Sequence, residues 1–399
     1  METAAEREQA IGSDHVVDVD FFRPEREGET VHEAWMRIRE TCPPLFWTPR
    51  NGGHWVATDP ADIRTMQTDF ARFRNAGSKV PPGERPFPLL PLESDPPFHS
   101  GLRLLIAPAF SPRVFARARD TVRAVAVETI EALVPQGRCE FVSAFAKVLP
   151  IVVFLEMMEL PAEDRHELLP LADAIARAQD IDVSNAARAR VGEYLARWIE
   201  ERRRDPGEDA ISRIVNGRPG GRELTMPEVL GMCSVVLVGG LDTVASILGF
   251  AACHLANHPR DREHLRRNPA IIPNAVEELL RRYAIVNQTR KLADDVAMRG
   301  VVLRAGDHVL LPNMLVGLSP DVTEHPDRVL LDREEPVHAA FGNGPHKCPG
   351  AQLARQELAV FLEEWLARIP EFRVVPGTEP RIVAGTVNGM VELHLEWDG

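Results

Sequence analysis

Cysteine is scarce in this 399-residue sequence, and its few copies are not arranged for cross-linking. There are five, an odd number without paired spacing: Cys42, Cys139, Cys233, Cys253 and Cys348. This pattern argues against a disulfide framework and favours a reducing, cytoplasmic compartment. Because 44% of the residues are hydrophobic, the chain can bury a large core without cross-links.

An excess of basic residues is also missing. The 46 lysines and arginines are outnumbered by 59 acidic residues, which gives a formal net charge of −13. Such an acidic protein has no electrostatic reason to bind nucleic acid or an anionic membrane surface. An acidic partner would have to meet a local basic patch.

Signals that export or divide a chain are absent as well. Residues 1–20 contain acidic side chains and no apolar stretch long enough for a signal peptide. No Gly/Ser linker, internal repeat or low-complexity tract follows. We therefore expect a single domain over residues 1–399, with residues 1–20 as a flexible N-terminal extension.

One long apolar segment is present. The stretch from Val229 to Ala256 has Asp242 as its only charged residue and is long enough to cross a bilayer. A lone span with a central carboxylate and no flanking basic or aromatic belt is a poor membrane anchor. We expect a helix buried through the centre of a large core.

The remaining periodicity predicts a mainly α fold with small β-sheets. Helical spacing is strongest over Phe115–Leu133 and Asn185–Arg204, whereas prolines crowd residues 81–97 and predict an irregular loop there. Residues 296–311 are typical of a hairpin that turns near Ala305-Gly306. Residues 391–397 alternate like a half-buried strand.

The most specific motif is the segment FGNGPHKCPG over residues 341–350, directly before a predicted helix. Its glycines and prolines allow a tight backbone that can closely approach a flat ligand. Cys348 then lies at a helix N-terminus, where exposed amides and the helix dipole stabilise a thiolate. A thiolate is the axial ligand that favours O–O cleavage at haem iron. The other four cysteines are expected to be ordinary buried residues.

The pattern Phe-x-x-Gly-x-His-x-Cys-x-Gly in this segment resembles the haem-binding signature of the cytochromes P450. Residues 209–212, 237–243 and 277–282 resemble the bacterial class that includes the camphor monooxygenases. The resemblance covers residues 21–397. It implies the P450 fold, with haem b between the long central helix and the helix after Cys348. It also implies O₂ as co-substrate and Cys348 as the axial ligand of the iron.

The sequence Gly-Gly-Leu-Asp-Thr at residues 239–243 interrupts the predicted central helix. Adjacent glycines weaken the helical ladder and leave room for a small ligand. The resemblance places this segment at the oxygen-binding groove. Thr243 would hydrogen-bond dioxygen and Asp242 would supply protons. The alternative is a packing glycine pair with a hydrogen-bonded core threonine.

Glu278 and Arg281 are spaced to face each other on a predicted helix. Periodicity alone puts them opposite the apolar face, as a solvated surface pair of little energetic weight. The resemblance implies the opposite: it makes them the structural salt bridge of the family, completed by Arg328.

Cations and N–H donors are the expected partners of the two haem propionates. The resemblance assigns this role to His99, Arg103, Arg290 and His346, and it adds Phe341 and Gly350 of the cysteine loop to the cofactor contacts.

The chain contains no flavin or nicotinamide domain, so its electrons must come from another protein. The resemblance implies a [2Fe–2S] ferredoxin that an NADH-dependent reductase reduces. A basic patch of Arg103, Lys347 and Arg355 on the cysteine side would fit an acidic ferredoxin.

The resemblance also defines a mostly apolar substrate pocket. Its positions are Phe87, Leu89, Leu92, Val235, Val238, Leu241, Val286, Thr386 and Val387. The camphor monooxygenases use a tyrosine phenol to bind the substrate ketone, and Phe87 stands at that position here. We therefore expect hydroxylation of a monoterpenoid or a norisoprenoid such as an ionone, rather than camphor itself.

Other functions fit the same motif. A haem-thiolate isomerase, dehydratase or peroxide-using enzyme often lacks the acid–threonine pair, so Asp242 and Thr243 favour O₂ activation. A haem sensor or carrier would not consume NADH to form a hydroxylated product, and a haem-free helical scaffold would lack a haem spectrum.

Overall fold

The structure is a computed structural model that describes residue 7 and residues 11–83, 87–177 and 181–398. It is about 54% helical with small sheets, as the periodicity predicts. The main helices are α1 (Val31–Thr41), α2 (Pro60–Thr68), α3 (Phe98–Ile106), α4 (Pro112–Leu133), α5 (Val148–Met157), α6 (Arg165–Arg177), α7 (Ile181–Arg204), α8 (Ala210–Val215), α9 (Met226–Asn257), α10 (Pro259–Arg267), α11 (Ile272–Arg282), α12 (Met314–Gly317) and α13 (Ala351–Arg368).

Short strands form four small sheets in the described residues. They are β1 (Leu45–Thr48), β2 (His54–Ala57), β3 (Phe73–Arg74), β4 (Arg138–Glu140), β5 (Asn287–Leu292), β6 (Val296–Met298), β7 (Val301–Leu303), β8 (His308–Pro312), β9 (Arg373–Val374), β10 (Arg381–Val383), β11 (Gly389–Glu392) and β12 (His394–Glu396). The largest sheet has the order β1-β2-β8-β5-β3, and β2 and β8 are its parallel pair.

A hairpin is present within residues 296–311, but the predicted position of its turn, near Ala305-Gly306, is wrong. The hairpin joins β6 to β7 through Arg299 and Gly300, whose φ angles of 51° and 82° allow a tight reversal. Residues 305–306 lead instead to β8, because β8 pairs with β2 and β5 in the main sheet. The C-terminal alternation is confirmed for Leu393, Leu395 and Trp397, which are buried.

The flexible extension expected at residues 1–20 is wrong for its described part. Arg7 is buried, donates to Asp307 at 2.7 Å and lies over the rings of Trp47 and Trp55. Further along, the N–H of Val17 donates to the carbonyl of Trp47 at 2.8 Å. Arg7 and Val17, in the described part of this segment, therefore pack against β1 and β2.

Helix α9 is the long apolar helix that the sequence predicts. It begins with a capping box between Thr225 and Glu228, which satisfies free amides of its first turn. Among the described residues it is the one helix long and apolar enough to cross a bilayer, and 65% of its most apolar window is buried inside the structure. Its position is that of a core helix.

Two hydrophobic cores meet along α9. The large core contains the C-terminal half of α9, the main sheet and α13, with Trp35, Trp55 and Trp365 among its buried members. The small core contains the N-terminal half of α9 with α3 and α5–α8, and Leu171 and Leu237 belong to it. Leu241 belongs to the small core and Val244 to the large one, so residues 239–243 lie at the boundary.

Candidate haem-thiolate site

The cysteine loop folds back tightly on itself. The N–H of Cys348 donates to the carbonyl of Phe341 at 3.0 Å, and Gly342 and Gly344 have φ angles of 66° and 69°. A Cβ on Gly344 would lie 2.7 Å from the carbonyl oxygen of Gln67. Glycine is therefore required there both by the left-handed backbone and by the close approach of α2.

The thiol of Cys348 is accessible, unlike those of the other four cysteines, which are buried or half-buried. The surrounding protein atoms raise the pKa of this thiol. A hydrogen bond from the Gly350 N–H and the charges of Arg103 and Arg355 act in the opposite direction and lower it. The loop thus presents one exposed cysteine, and the Gly350 N–H and the two guanidinium groups partly offset the rise in the pKa of its thiol that burial causes.

Three basic side chains of the candidate cofactor site, those of His99, His346 and Arg290, are buried and form no ion pair within the described part of the chain. The rings of His99 and His346 are 4.1 Å apart, and the Nδ1 of His99 and the Nε2 of His346 are buried without a hydrogen-bond partner. Burial lowers the pKa of His99 to about 4 and that of His346 to about 3. Burial also lowers the pKa of Arg290 to about 10. Unsatisfied buried donors of this kind indicate an acceptor that belongs between them.

Arg103 links this group to the cysteine loop. Its Nη2 donates to the carbonyl of Lys347 at 3.1 Å. Arg355 lies over the ring of Phe341 at 4.7 Å, but its guanidinium forms an ion pair with Glu277 at 2.5 Å. The predicted basic patch therefore has two exposed or half-exposed cations, Arg103 and Lys347, and a third whose charge is already paired.

The central segment of α9 does not break the helix, which continues from Met226 to Asn257. The sequence prediction of an interruption is wrong in this respect. No heavy atom lies within 4 Å of a Cβ built on Gly239 or Gly240, so the pair does leave open space. The hydroxyl of Thr243 donates to the carbonyls of Gly239 at 2.9 Å and Gly240 at 3.3 Å. Its oxygen can still accept a hydrogen bond, and the adjacent Asp242 is half-buried.

The predicted substrate positions fall in three places. The loop with Phe87 and Leu89 reaches α9, because a Cβ on Gly231 would lie 1.8 Å from the carbonyl oxygen of Pro88. Val286 and Val387 pair in a β-bridge. Other predicted members are the half-buried Val235 and the buried Leu241 on α9, and the exposed Leu92 and Thr386; the side chain of Val238 lies outside the described part of the chain.

Glu278 and Arg281 are fully buried, as the family resemblance predicts and the periodicity does not. Two parallel hydrogen bonds of 2.7 and 2.8 Å join them. The expected third partner is wrong: Arg333, not Arg328, donates to Glu278 at 2.9 Å. Arg328 instead accepts a hydrogen bond from Arg281 through its carbonyl at 2.6 Å. The side chain of Arg328 is exposed, and only its backbone carbonyl contacts the buried pair.

The sequence reasoning missed two supporting residues. The buried side chain of Gln67 on α2 accepts from Asn343 of the cysteine loop at 2.6 Å and donates to Asn313 at 2.8 Å. Glu277 holds both Arg355 and His338. No local signal identifies Gln67, because its partners are more than two hundred residues away. The sequence does not identify Glu277 either, because the Glu-x-x-Arg spacing directs attention to the adjacent Glu278.

Comparison with known proteins decides the family. The family model described as cytochrome P450 matches residues 153–391. The chain belongs to the cytochrome P450 family. A curated relative, the probable cytochrome P450 127A1 of Sinorhizobium fredii, is 36% identical over 92% of this chain and 90% of its own. The nocardicin C N-oxygenase of Nocardia uniformis is 33% identical over 92% of this chain and 96% of its own.

Two solved structures similar to this chain have the same fold and belong to one branch of the family. The crystal structure of CYP101J2 superposes with a TM-score of 0.90 at 40% identity, covering 98% of this chain and 99% of that one. The crystal structure of CYP101C1 gives 0.88 at 37% identity, covering 98% and 99%. These are camphor-monooxygenase-like proteins, the branch that the sequence motifs indicate. The protein is thus a cytochrome P450 monooxygenase that uses haem b and O₂.

The residues present fit this cofactor. A porphyrin that carries two propionates needs cations and N–H donors at one edge. His99 and His346 offer buried ring nitrogens without a partner, and Arg290 offers a buried guanidinium whose hydrogen-bond partners among the described residues are neutral, the Thr289 carbonyl and the Gln288 amide. Iron coordinated by thiolate needs a reachable sulfur, and Cys348 provides it. The helix that follows Cys348, α13, packs against α9, so both predicted walls of the site belong to adjacent helices.

Proposed function

We propose that this P450 hydroxylates a small, mostly apolar molecule, a monoterpenoid or a norisoprenoid such as an ionone, in the cytoplasm. The chain would act as one domain over residues 1–399. The observation that carries the proposal is the accessible Cys348 thiol beside a set of buried donors without partners. An apolar set of pocket positions around α9 supports a hydrophobic substrate.

In this proposal Cys348 is the axial ligand of the iron. His99, Arg103, Arg290 and His346 hold the propionates, and Phe341 and Gly350 line the cofactor on the loop side. When bound, thiolate-ligated haem uses two electrons and two protons to place one atom of O₂ in a C–H bond, and the other atom leaves as water. Each of the two histidines has a buried ring nitrogen without a partner, which can donate an N–H to a propionate carboxylate.

Thr243 and Asp242 are the residues proposed to handle protons. The hydroxyl hydrogen of Thr243 is directed at the carbonyls of Gly239 and Gly240, so its oxygen would be available to accept a hydrogen bond from a protonated ligand in the pocket. Asp242 is half-buried and can exchange protons with solvent. The open space beside Gly239 and Gly240 is where a small diatomic molecule would be accommodated.

The proposed substrate contacts are Phe87, Leu89, Leu92, Val235, Val238, Leu241, Val286, Thr386 and Val387. A phenyl ring at Phe87 gives apolar contact without a donor, so the pocket has no phenol to orient a ketone. This supports a hydrocarbon-rich substrate over camphor itself.

Electrons are proposed to come from a [2Fe–2S] ferredoxin that an NADH-dependent reductase reduces. Three features of α3 and the cysteine loop support docking there: the cations Arg103 and Lys347, and Leu104, whose side chain is 73% exposed. An exposed leucine beside cations suits a partner with an acidic rim and an apolar centre. Lys347→Glu should raise the KM for ferredoxin without changing the binding of substrate.

The decisive experiment is Cys348→Ser, with Cys42→Ser as the matched control. Cys348→Ser should lose monooxygenase turnover and the red-shifted Soret band of the ferrous CO complex, even if haem is retained. Cys42→Ser should keep both. A Cys348→Ser protein with both properties intact would refute the assignment of the axial ligand.

The substrate proposal has its own measurement. Ionones, monoterpenoids and camphor would be titrated into the haem-loaded protein and followed by the spin-state shift that accompanies loss of water from the iron. Hits would then be incubated with NADH, reductase and ferredoxin, and the products identified by mass spectrometry. Tighter binding of camphor than of every ionone or hydrocarbon terpenoid would contradict the inference drawn from Phe87.

A further inference from the structure

Away from the haem-thiolate site, two basic side chains face each other on neighbouring strands. Arg74 on β3 is directly opposite Lys291 on β5 in the antiparallel register. Residues in this relation are on the same face of a sheet with their Cβ atoms about 5 Å apart, and like charges there destabilise the pair. Among the described residues, neither side chain has an ion pair or a side-chain hydrogen bond. The two positive charges are thus close together, and neither is paired with a carboxylate in the part of the chain that the structure describes.

These cations line a hollow of about 620 Å³. Its wall also includes Phe70, Pro96 and Leu292, and Phe70 is 38% exposed. Ligand pockets commonly have volumes of about 300–1,000 Å³ and combine apolar walls with a few polar groups. The hollow therefore has the size and the mixed lining of a site for a small molecule.

The other charged or titratable groups near the hollow, Asp95 and His308, already have hydrogen-bond partners, whereas the side chains of Arg74 and Lys291 have none within the described residues. Asp95 lines the same hollow, but its two carboxylate oxygens accept from the N–H groups of Asn75 at 2.8 Å and Ala76 at 3.2 Å. His308 on β8 is opposite Lys291, and its Nε2 is bonded to the carbonyl of Gly77 at 3.0 Å. Asp95 keeps its negative charge, but its oxygens are held by these N–H groups, so an incoming anion would meet two positive charges against one negative charge.

The hollow adjoins the candidate cofactor site, because the charge of Asp95 acts on Arg290 and His99, but its two cations face the other way. Successive side chains of a strand point to opposite faces, so Lys291 faces away from Arg290, its neighbour on β5. Arg290 is buried, whereas Lys291 is half-exposed. A ligand in the hollow would therefore bind on the other face of the strand that carries Arg290.

We propose that this hollow is a second binding site, which takes a small amphipathic anion. A carboxylate would bind between Arg74 and Lys291, and its ring or alkyl body would pack on Phe70 and Pro96. Each cation donates charge-assisted hydrogen bonds, which are stronger than neutral ones. A neutral analogue of the same shape should bind far more weakly.

The test is calorimetric titration of the haem-loaded protein with sodium 2-naphthoate, with 2-naphthamide as the neutral ligand. Wild type should bind the carboxylate with a Kd below about 1 mM. Arg74→Gln and Lys291→Gln should each weaken it about ten-fold or more, and the double variant should abolish it. The matched control is Arg72→Gln, a nearby arginine already paired with Asp69, which should bind like wild type.

A parallel optical titration separates this site from the haem pocket. The carboxylate should bind without a spin-state shift, and the double variant should retain the wild-type response to hydrophobic substrates. The proposal is overturned by equal affinity in wild type and the double variant, by no binding in wild type, or by a spin-state shift that saturates together with the heat.

Discussion

The two cores differ in the side chains that fill them and in where they keep their charges. The large core contains five of the six tryptophans, and the rings of Phe145 and Trp365 are 5.2 Å apart within it. The small core is mostly aliphatic, and its one tryptophan, Trp198, is only partly buried. Aromatic pairs add about 0.5–1.5 kcal/mol beyond their buried area. The large core therefore gains more stabilisation from aromatic pairs than the small core does.

The two sides also differ in how deeply they bury charged side chains. The large-core side buries the ion pair of Glu278 and Arg281 completely and also buries Glu357. The pair that caps α9 on the small-core side, Arg222 and Glu228, is at the surface. The half with the cysteine helix therefore buries both partners of an ion pair, whereas on the small-core side the buried carboxylate of Asp209 pairs with Arg202, whose side chain is 14% exposed.

The largest expected effect comes from breaking the buried pair. Arg281→Ala leaves the buried Glu278 with Arg333 as its remaining cationic partner and removes the donor to the Gly317, Pro326 and Arg328 carbonyls, which should cost about 3–5 kcal/mol of unfolding free energy. Arg222→Ala, the surface control, should cost less than about 1 kcal/mol. Urea unfolding followed by circular dichroism measures both. Arg281→Lys, which keeps the charge but loses the two-pronged contact, should fall between them.

A failure to obtain folded Arg281→Ala would count as the large effect, provided that Arg281→Lys folds with reduced stability. If the Arg281→Ala and Arg222→Ala proteins were equally stable, the contrast between the two regions would be lost.

The next prediction concerns the sign of the pH dependence in each half. Burial raises the pKa of Glu357 from 4.5 to about 8, and its Oε2 has no partner. Between these values the unfolded chain has released a proton that the folded chain keeps, so Glu357 makes stability fall as pH rises. Arg222 lowers the pKa of Glu228 to about 2. That stabilisation is present above pH 4.5 and is lost as pH falls towards 2.

Glu357→Gln should therefore gain stability over wild type at pH 8 and little at pH 5, as measured by urea unfolding at both values. Glu379→Gln, at an exposed position, should follow wild type at both. A Glu357→Gln protein with the wild-type slope between pH 5 and pH 8 would mean that Glu357 is not held in its neutral form.

Sequence reasoning found the parts of the site that are contiguous in the chain and missed those assembled from distant segments. The cysteine loop and α9 are local, and their residues carry their own signal. Periodicity placed Arg281 at the surface because its burial depends on carbonyls of Gly317, Pro326 and Arg328 in later loops. Similarly, docking of Arg7 depends on two tryptophans and Asp307 from the main sheet. Long-range partners leave no trace in local spacing.

Thr243 lies where the two cores meet, and its removal should affect coupling rather than binding. Thr243→Ala changes one small group in an apolar pocket, so substrate affinity should change by only about 1 kcal/mol. Electron delivery continues, but protons are misdirected, so NADH should be consumed in forming hydrogen peroxide. NADH, product and peroxide would be measured together. Ser234→Ala, which removes a buried hydroxyl from the same helix, should remain coupled; tight coupling in Thr243→Ala would contradict the proposed role.

The smallest effect is expected at Phe87, on the loop that reaches α9 from the small-core side. Phe87→Tyr adds a phenol that can donate to a ketone, a hydrogen bond worth about 0.5–1.5 kcal/mol net. Camphor-like ketones should bind several-fold more tightly and give a narrower set of products. Hydrocarbon substrates should bind more weakly, because the new hydroxyl would be buried without a partner. Spin-state titration of both ligand classes in wild type and variant measures this difference. Unchanged affinities for both classes would place Phe87 outside the pocket and would remove the main reason for preferring an ionone to camphor.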